Sequence, residues 1–163
     1  METTNQQHKI TPFLWFDGKA EEAIKLYTSV FKNSKIINLA YWGEGGPFPK
    51  DQVMTGTFEL DGQRFHAFDA GPEFKFTEAI SLFVNCETQE EIDHIWEKLT
   101  ADGGKESMCG WLKDKFGVSW QIIPPILGKL LADKDRAKAG RVMQAMMKMN
   151  KIIIADLEKA SKG

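Results

Sequence analysis

Cysteine is scarce in this 163-residue chain: only Cys86 and Cys109 are present, in different segments and without metal-ligand spacing. Neither a disulfide framework nor a zinc knuckle can hold the fold, so a hydrophobic core in a reducing compartment is expected. Charge of one sign is missing as well. Lys and Arg number 21 against 23 Asp and Glu, the net charge is −2, and the lysines are scattered among carboxylates. That balance provides no field for a phosphate backbone, so nucleic acid is not expected as a partner. No apolar run approaches the roughly 20 residues that span a bilayer. Residues 1–9 are polar and lack the apolar stretch of a signal peptide, so neither membrane insertion nor secretion is expected and a cytoplasmic location fits. Histidine is limited to His8, His66 and His94, which restricts imidazole chemistry.

The residues that are present describe an ordinary globular protein, 42% hydrophobic and 27% charged, with five tryptophans and eleven phenylalanines. Ile10 to Phe16 reads as a strand, with Pro12 near its start where a missing donor is tolerated. Ala20, Ala23, Ile24, Tyr27 and Phe31 then recur at helical spacing, with Glu21, Glu22, Lys25 and Lys32 on the other face and Asp17 as the expected N-cap. A β-rich segment at Lys35 to Tyr41, a Gly/Pro loop from Gly43 to Pro49 and a strand from Val53 to Leu60 follow. Asp61-Gly62 is a strong type I′ hairpin signal leading into Gln63 to Asp69. The order is β-α-β-β-β.

The same order returns in the second half. Ala79 to Cys86 is a short apolar strand, and Thr88 with Glu91 forms a capping box ahead of the helical stripe Ile92, Ile95, Trp96 and Leu99. Gly103-Gly104 end that helix. Strands are expected at Lys105 to Cys109, Gly110 to Lys113 and Val118 to Ile123, with Asp114 to Gly117 turning the last pair. Pro124-Pro125 closes the repeat. A turn at Ile126 to Leu131 and one long helix from about Asp133 should follow, its packing stripe being Ala139, Val142, Met143, Met146, Met149, Ile153 and Leu157. Two copies of one supersecondary unit, each too small to bury its own sheet, should pack together around a concave surface.

Three stretches carry a resemblance. They are Phe13 to Ala23 (FLWFDGKAEEA), Thr88 to Asp93 (TQEEID) and Cys109 to Gln121 (CGWLKDKFGVSWQ). In these the chain resembles PhnB-like members of the glyoxalase/bleomycin-resistance/dioxygenase (vicinal oxygen chelate) superfamily, sequences often labelled 3-demethylubiquinone-9 3-methyltransferase. The resemblance implies an α+β fold of two βαβββ modules forming a half-open, eight-stranded, barrel-like sheet, and a homodimer. The corresponding boundaries are a glyoxalase-like domain over 9–125, with modules 9–70 and 77–125, and a C-terminal helical extension over 126–163.

Enzymes of that superfamily hold one divalent metal on His and Glu side chains of the first and last strands of each module. This sequence departs from the pattern: Thr11 and Pro12, Ala79 and Ile80, and Gln121 stand where ligands are expected. Only His66 lies near a ligand position; His8 is in the polar tail, and His94 should face water. Even granting His66, Glu59 and Asp69, strand alternation sends His66 and Asp69 to opposite faces. No metal site and no cofactor are therefore expected, a divalent metal being the alternative. Methyl transfer from S-adenosylmethionine would require a glycine-rich strand-to-helix turn, and the only glycine cluster, Gly43-Glu44-Gly45-Gly46, runs into Pro47.

Alternation suggests Trp15, Thr57, His66, Trp111, Trp120 and Gln121 as the lining of a ligand cup, with Asp114 near its rim. His66 and Cys109 are the catalytic candidates, as general base and thiol. The leading reading is a small-molecule-binding protein of this fold without the usual metal. The alternatives are an enzyme acting on a small carbonyl, aromatic or quinone compound, whether glyoxalase-, dioxygenase- or methyltransferase-like, and an interaction module working through its Met-rich C-terminal helix.

Overall fold

In each half, side chains alternate between a sheet face covered by a helix and a face left open. The structure is a computed structural model that describes residues 9–163, so the tail position His8 lies outside the described residues. The chain divides into a unit ending at Lys75 and a unit Phe76–Gly163. Among the described residues eight strands fall into two four-stranded sheets, one in each unit.

The first unit contains β1 (Phe13–Phe16), α1 (Ala20–Val30), β2 (Lys35–Tyr41), β3 (Val53–Leu60) and β4 (Gln63–Asp69). The sheet order is β1-β4-β3-β2, with β1 parallel to β4 and the other pairs antiparallel. Ala20, Ala23, Ile24, Tyr27 and Val30 form the buried face of α1, which packs mainly on β3. Phe16, Phe58, Leu60, Phe65 and Ala67 are buried in the same core. A side chain at Gly56 would collide with Ile24, so this glycine lets the helix seat close to the sheet. Asp61 and Gly62 carry the positive φ values, 47° and 77°, of a two-residue hairpin turn.

Two local expectations are corrected here. The first strand begins at Phe13 rather than Ile10. Asp17 does not cap α1; the N-cap is Lys19, which makes no capping bond with its side chain. The carboxylate of Asp69, at the far end of β4 and 1% exposed, accepts instead from the amides of Gly18 (2.5 Å) and Ala20 (2.8 Å). A long-range carboxylate thus meets the orphan amides and the positive end of the helix dipole.

The second unit repeats the order with β5 (Ser81–Asn85), α2 (Gln89–Thr100), β6 (Lys105–Glu106), β7 (Trp111–Lys113) and β8 (Ser119–Ile123), arranged β5-β8-β7-β6. Helix α2 buries Ile92, Ile95, Trp96 and Leu99 and packs on β7 and β8, and His94 is exposed. Thr88 caps it locally, its Oγ1 accepting from Glu91 N at 3.2 Å. The reciprocal half of the box is shifted by one residue, since the Glu91 carboxylate accepts from Glu87 N at 3.0 Å. The second strand of this half, β6, is short, only Lys105 and Glu106, rather than reaching Cys109. Cys109 and Gly110 both have positive φ, 59° and 83°, and turn the chain into β7.

Beyond β8 lie α3 (Pro125–Leu131), α4 (Arg136–Met146) and α5 (Ile154–Lys162). The single long helix expected from Asp133 is therefore broken in two. Between the pieces, backbone groups are spent on tertiary bonds. The carbonyls of Met149 and Asn150 accept from Cys109 N (2.8 Å) and Gly110 N (2.7 Å), and Gln89 bridges Ile152 O (3.1 Å) and Ile154 N (2.9 Å). These bonds replace intrahelical ones, and packing overrides helical periodicity. As a result Ile152, not Ile153, joins Leu127, Val142 and Leu157 in a small core, while Met143 is exposed.

Candidate functional site

On the open face of the first sheet, register sets the residues out in rows. Phe13, His66 and Thr57 are lateral partners across β1, β4 and β3, and Trp15, Phe68 and Thr55 make the next row. His66 Nδ1 is 3.0 Å from Thr57 Oγ1, a bond whose direction follows the imidazole tautomer. Among the described residues Nε2 has no hydrogen-bond partner. Trp15 is fixed by its Nε1 donating to Gly71 O at 2.9 Å, with edge-on contacts to Phe68 (5.0 Å) and Phe74 (4.9 Å). Trp42 extends this cluster, 6.1 Å from Phe68 and 5.2 Å from Phe48, and donates from Nε1 to Asp69 O at 3.1 Å. Trp42, Phe48, Phe68 and Phe74 were not singled out from the sequence. Their side chains converge through pairing of distant strands and through the loops that follow them.

The second open face is more polar. Trp111, Gln121 and Phe83 form one row, and Gln121 Nε2 donates to Ser81 Oγ at 2.9 Å. Two expectations are corrected on this sheet. Trp120 is 2% exposed and pairs laterally with Leu112 on the helix-covered face, so it does not stand beside Gln121. Asp114 is not a rim group: it is 3% exposed, and its carboxylate accepts from Phe116 N (2.9 Å), Val118 N (3.0 Å) and Trp120 Nε1 (2.9 Å). It organises the β7–β8 turn.

Cys109 is half-buried, and its Sγ donates weakly to Met146 O at 3.7 Å. Its backbone holds the segment after α4, as described above, and no histidine partner is brought to it among the described residues. Burial pushes the Cys86 thiol up to about 12, which makes it inert at neutral pH.

The divalent metal implied by the resemblance finds no matching donor set. Among the described residues no three His, Cys, Asp or Glu side chains converge. Carboxylates of each sheet are already engaged: in the first unit Asp69 caps α1 and Glu59 pairs with Arg64 (3.1 Å) and Lys35 (3.3 Å), and in the second Asp114 holds a turn. Those cations, Arg64 first, hold the Glu59 carboxyl below its usual range. A chelate needs three or four converging donors, and this arrangement supplies one imidazole.

Comparison with known proteins places the fold in a family. Residues 8–123 match the profile of the family described as 3-demethylubiquinone-9 3-methyltransferase. The chain belongs to that family. It is PhnB-like. The PhnB protein of Bacillus cereus, whose name carries the same methyltransferase description, is 45% identical over 72% of this chain and 99% of its own, with a TM-score of 0.68. Protein PA1353 of Pseudomonas aeruginosa is 22% identical over 72% and 97%, with a TM-score of 0.61. The fosfomycin resistance protein FosX of Mesorhizobium loti is 11% identical over 78% and 98%, with a TM-score of 0.55. These last two show the fold alone. A comparison with curated proteins gives no match.

The family profile stops at Ile123, the end of β8, so α3, α4 and α5 lie beyond it. The family's methyltransferase description implies S-adenosylmethionine, and the PhnB-like chain does not offer the usual cradle. Gly43 to Gly46 lie in the loop joining the antiparallel strands β2 and β3, and no helix begins there to aim its amides at a cofactor. No step is assigned to that group.

Proposed function

We propose that this PhnB-like chain binds a small organic molecule directly, through side chains on its open sheet faces and without a resident metal. The observation that carries this is the chemistry of those faces. Each combines aromatic surface with an oriented polar group: His66 held by Thr57 among Phe13, Trp15 and Phe68, and Gln121 held by Ser81 between Trp111 and Phe83. Aromatic walls with a few fixed donors suit planar or carbonyl-bearing ligands. Trp15, Thr57, His66, Trp111 and Gln121 are the proposed contacts, and residues 126–163 form an extension to the 9–125 domain that carries them. Among the described residues no helix is long and apolar enough to cross a membrane; a cytoplasmic homodimer is part of the proposal.

A thermal-shift screen of small aromatic, carbonyl and quinone compounds against chelator-treated protein tests the reading. Hits should bind without added metal, and His66→Ala or Gln121→Ala should weaken them about tenfold, the worth of one good hydrogen bond. Binding only after a divalent ion is added would contradict it. A second reading, catalysis with His66 as general base, is favoured by the unengaged Nε2 on a ring oriented through Nδ1. It requires turnover of a hit that His66→Ala abolishes while the fold persists.

A further inference from the structure

One row on the second sheet has chemistry that the binding reading does not use. Pairing sets Lys105 beside Lys113, Lys113 beside Ser119, and Ser119 beside Ser81. The four side chains share the open face, one row along from Trp111 and Gln121. Two lysines directly opposite each other on antiparallel strands repel. Glu78 pairs with Lys113, whereas Lys105 has no ion pair among the described residues.

Ser119 shows the second anomaly. It is 2% exposed, and its Oγ is the only buried side-chain polar atom among the described residues with no hydrogen-bond partner. A buried hydroxyl left unpaired is costly, and such groups are uncommon in folded proteins. Ser119 lines a cleft of about 410 Å³ together with Lys105, Lys113 and Trp111. The carboxylates along the same cleft are engaged: Glu78 by Lys113, Glu106 by Trp96 Nε1 (2.7 Å) and Asn150 (3.3 Å), and Asp114 by the β7–β8 turn. The cleft's three lysines balance its three carboxylates, and what remains unmatched is a hydroxyl donor beside one lysine, Lys105, that has no ion pair among the described residues.

We propose that this cleft is an oxyanion subsite, in which a carboxylate or phosphate group accepts a hydrogen bond from Ser119 Oγ and lies against Lys105 and Lys113. The assignment rests on the small-molecule-binding reading and names the chemistry of one end of the ligand. An anion here would pair the orphan hydroxyl and relieve the lysine repulsion together, and charge-assisted hydrogen bonds are the stronger kind.

The test is amide chemical-shift mapping of the full chain titrated with inorganic phosphate and, separately, with acetate, at constant ionic strength. Saturable shifts at Trp111, Lys113 and Ser119 are expected. Response to phosphate alone would assign a phosphate-type group, response to acetate alone a carboxylate, and response to both the shared chemistry. Ser119→Ala removes only an unpaired hydroxyl, so it should fold normally and weaken the anion about tenfold; Lys105→Ala should also weaken it. Shifts that never saturate, or that Ser119→Ala leaves unchanged, would overturn the proposal. A neutral aromatic compound that shifts His66 or Gln121, while neither anion binds, would remove the oxyanion subsite and leave the binding reading intact. Silence toward every compound would remove both.

Discussion

Helix α1 is fastened by Asp69, 49 residues from the amide it caps, whereas α2 is fastened by Thr88 at its own start. The two units share a strand order and differ in the range of this one contact. A local cap costs little to form and contributes modestly. A buried carboxylate reaching across from the end of β4 ties the helix to the sheet, so its loss should disturb both. The open faces differ as well: the first sets Phe13 against a single imidazole with Trp15, Phe68 and Phe74 clustered beside that row, while the second lines up lysine, serine and glutamine. Duplicated architecture has been given unequal chemistry.

The cap comparison is sharpened first by mutation. Asp69→Ala leaves two amides at the start of α1 without their acceptor and should cost about 3 kcal/mol in urea unfolding, whereas Thr88→Ala should cost about 1 kcal/mol. Equal losses would break the comparison. A smaller effect follows from pH in the second unit. The Trp96 indole bond holds the Glu106 carboxyl below its usual range, and the Lys151 ammonium does the same to Asp93. Because folding lowers these values, the stabilisation is present at neutral pH and is lost as pH falls through the folded values, below the ordinary carboxylate range. Both groups are mostly solvated, so Glu106→Gln should remove less than about 1 kcal/mol of that acid sensitivity, read from unfolding midpoints across pH. Smallest of all, Ser119→Ala should leave stability unchanged or raise it by about 0.5 kcal/mol, since it removes an unpaired buried hydroxyl. A loss above about 1 kcal/mol would show that Ser119 is structurally engaged.

What could be read from the sequence was mostly local. Thr88 and the Asp61-Gly62 turn carry their signals within a few residues, and both βαβββ orders follow from periodicity. The Asp69 cap depends on β4 lying beside β1, which no local window contains. Trp120 and Gln121 could not be separated by pattern, because Ser119 to Ile123 is buried or half-buried throughout; pairing of Gln121 with Trp111 and Phe83 decides the face. The C-terminal stripe fits one helix until Cys109, Gly110 and Gln89 draw away its backbone groups. Ser119 carried no sequence signal, since an unpaired hydroxyl is a property of its surroundings.

Elemental analysis of the purified chain, equilibrated with micromolar zinc, manganese, nickel and iron and then desalted, bears most directly on ligand contact through side chains in place of a chelated ion. Well under one metal per chain is expected, with ligand affinity unchanged by chelator. One tightly held equivalent that His66→Ala releases would contradict it.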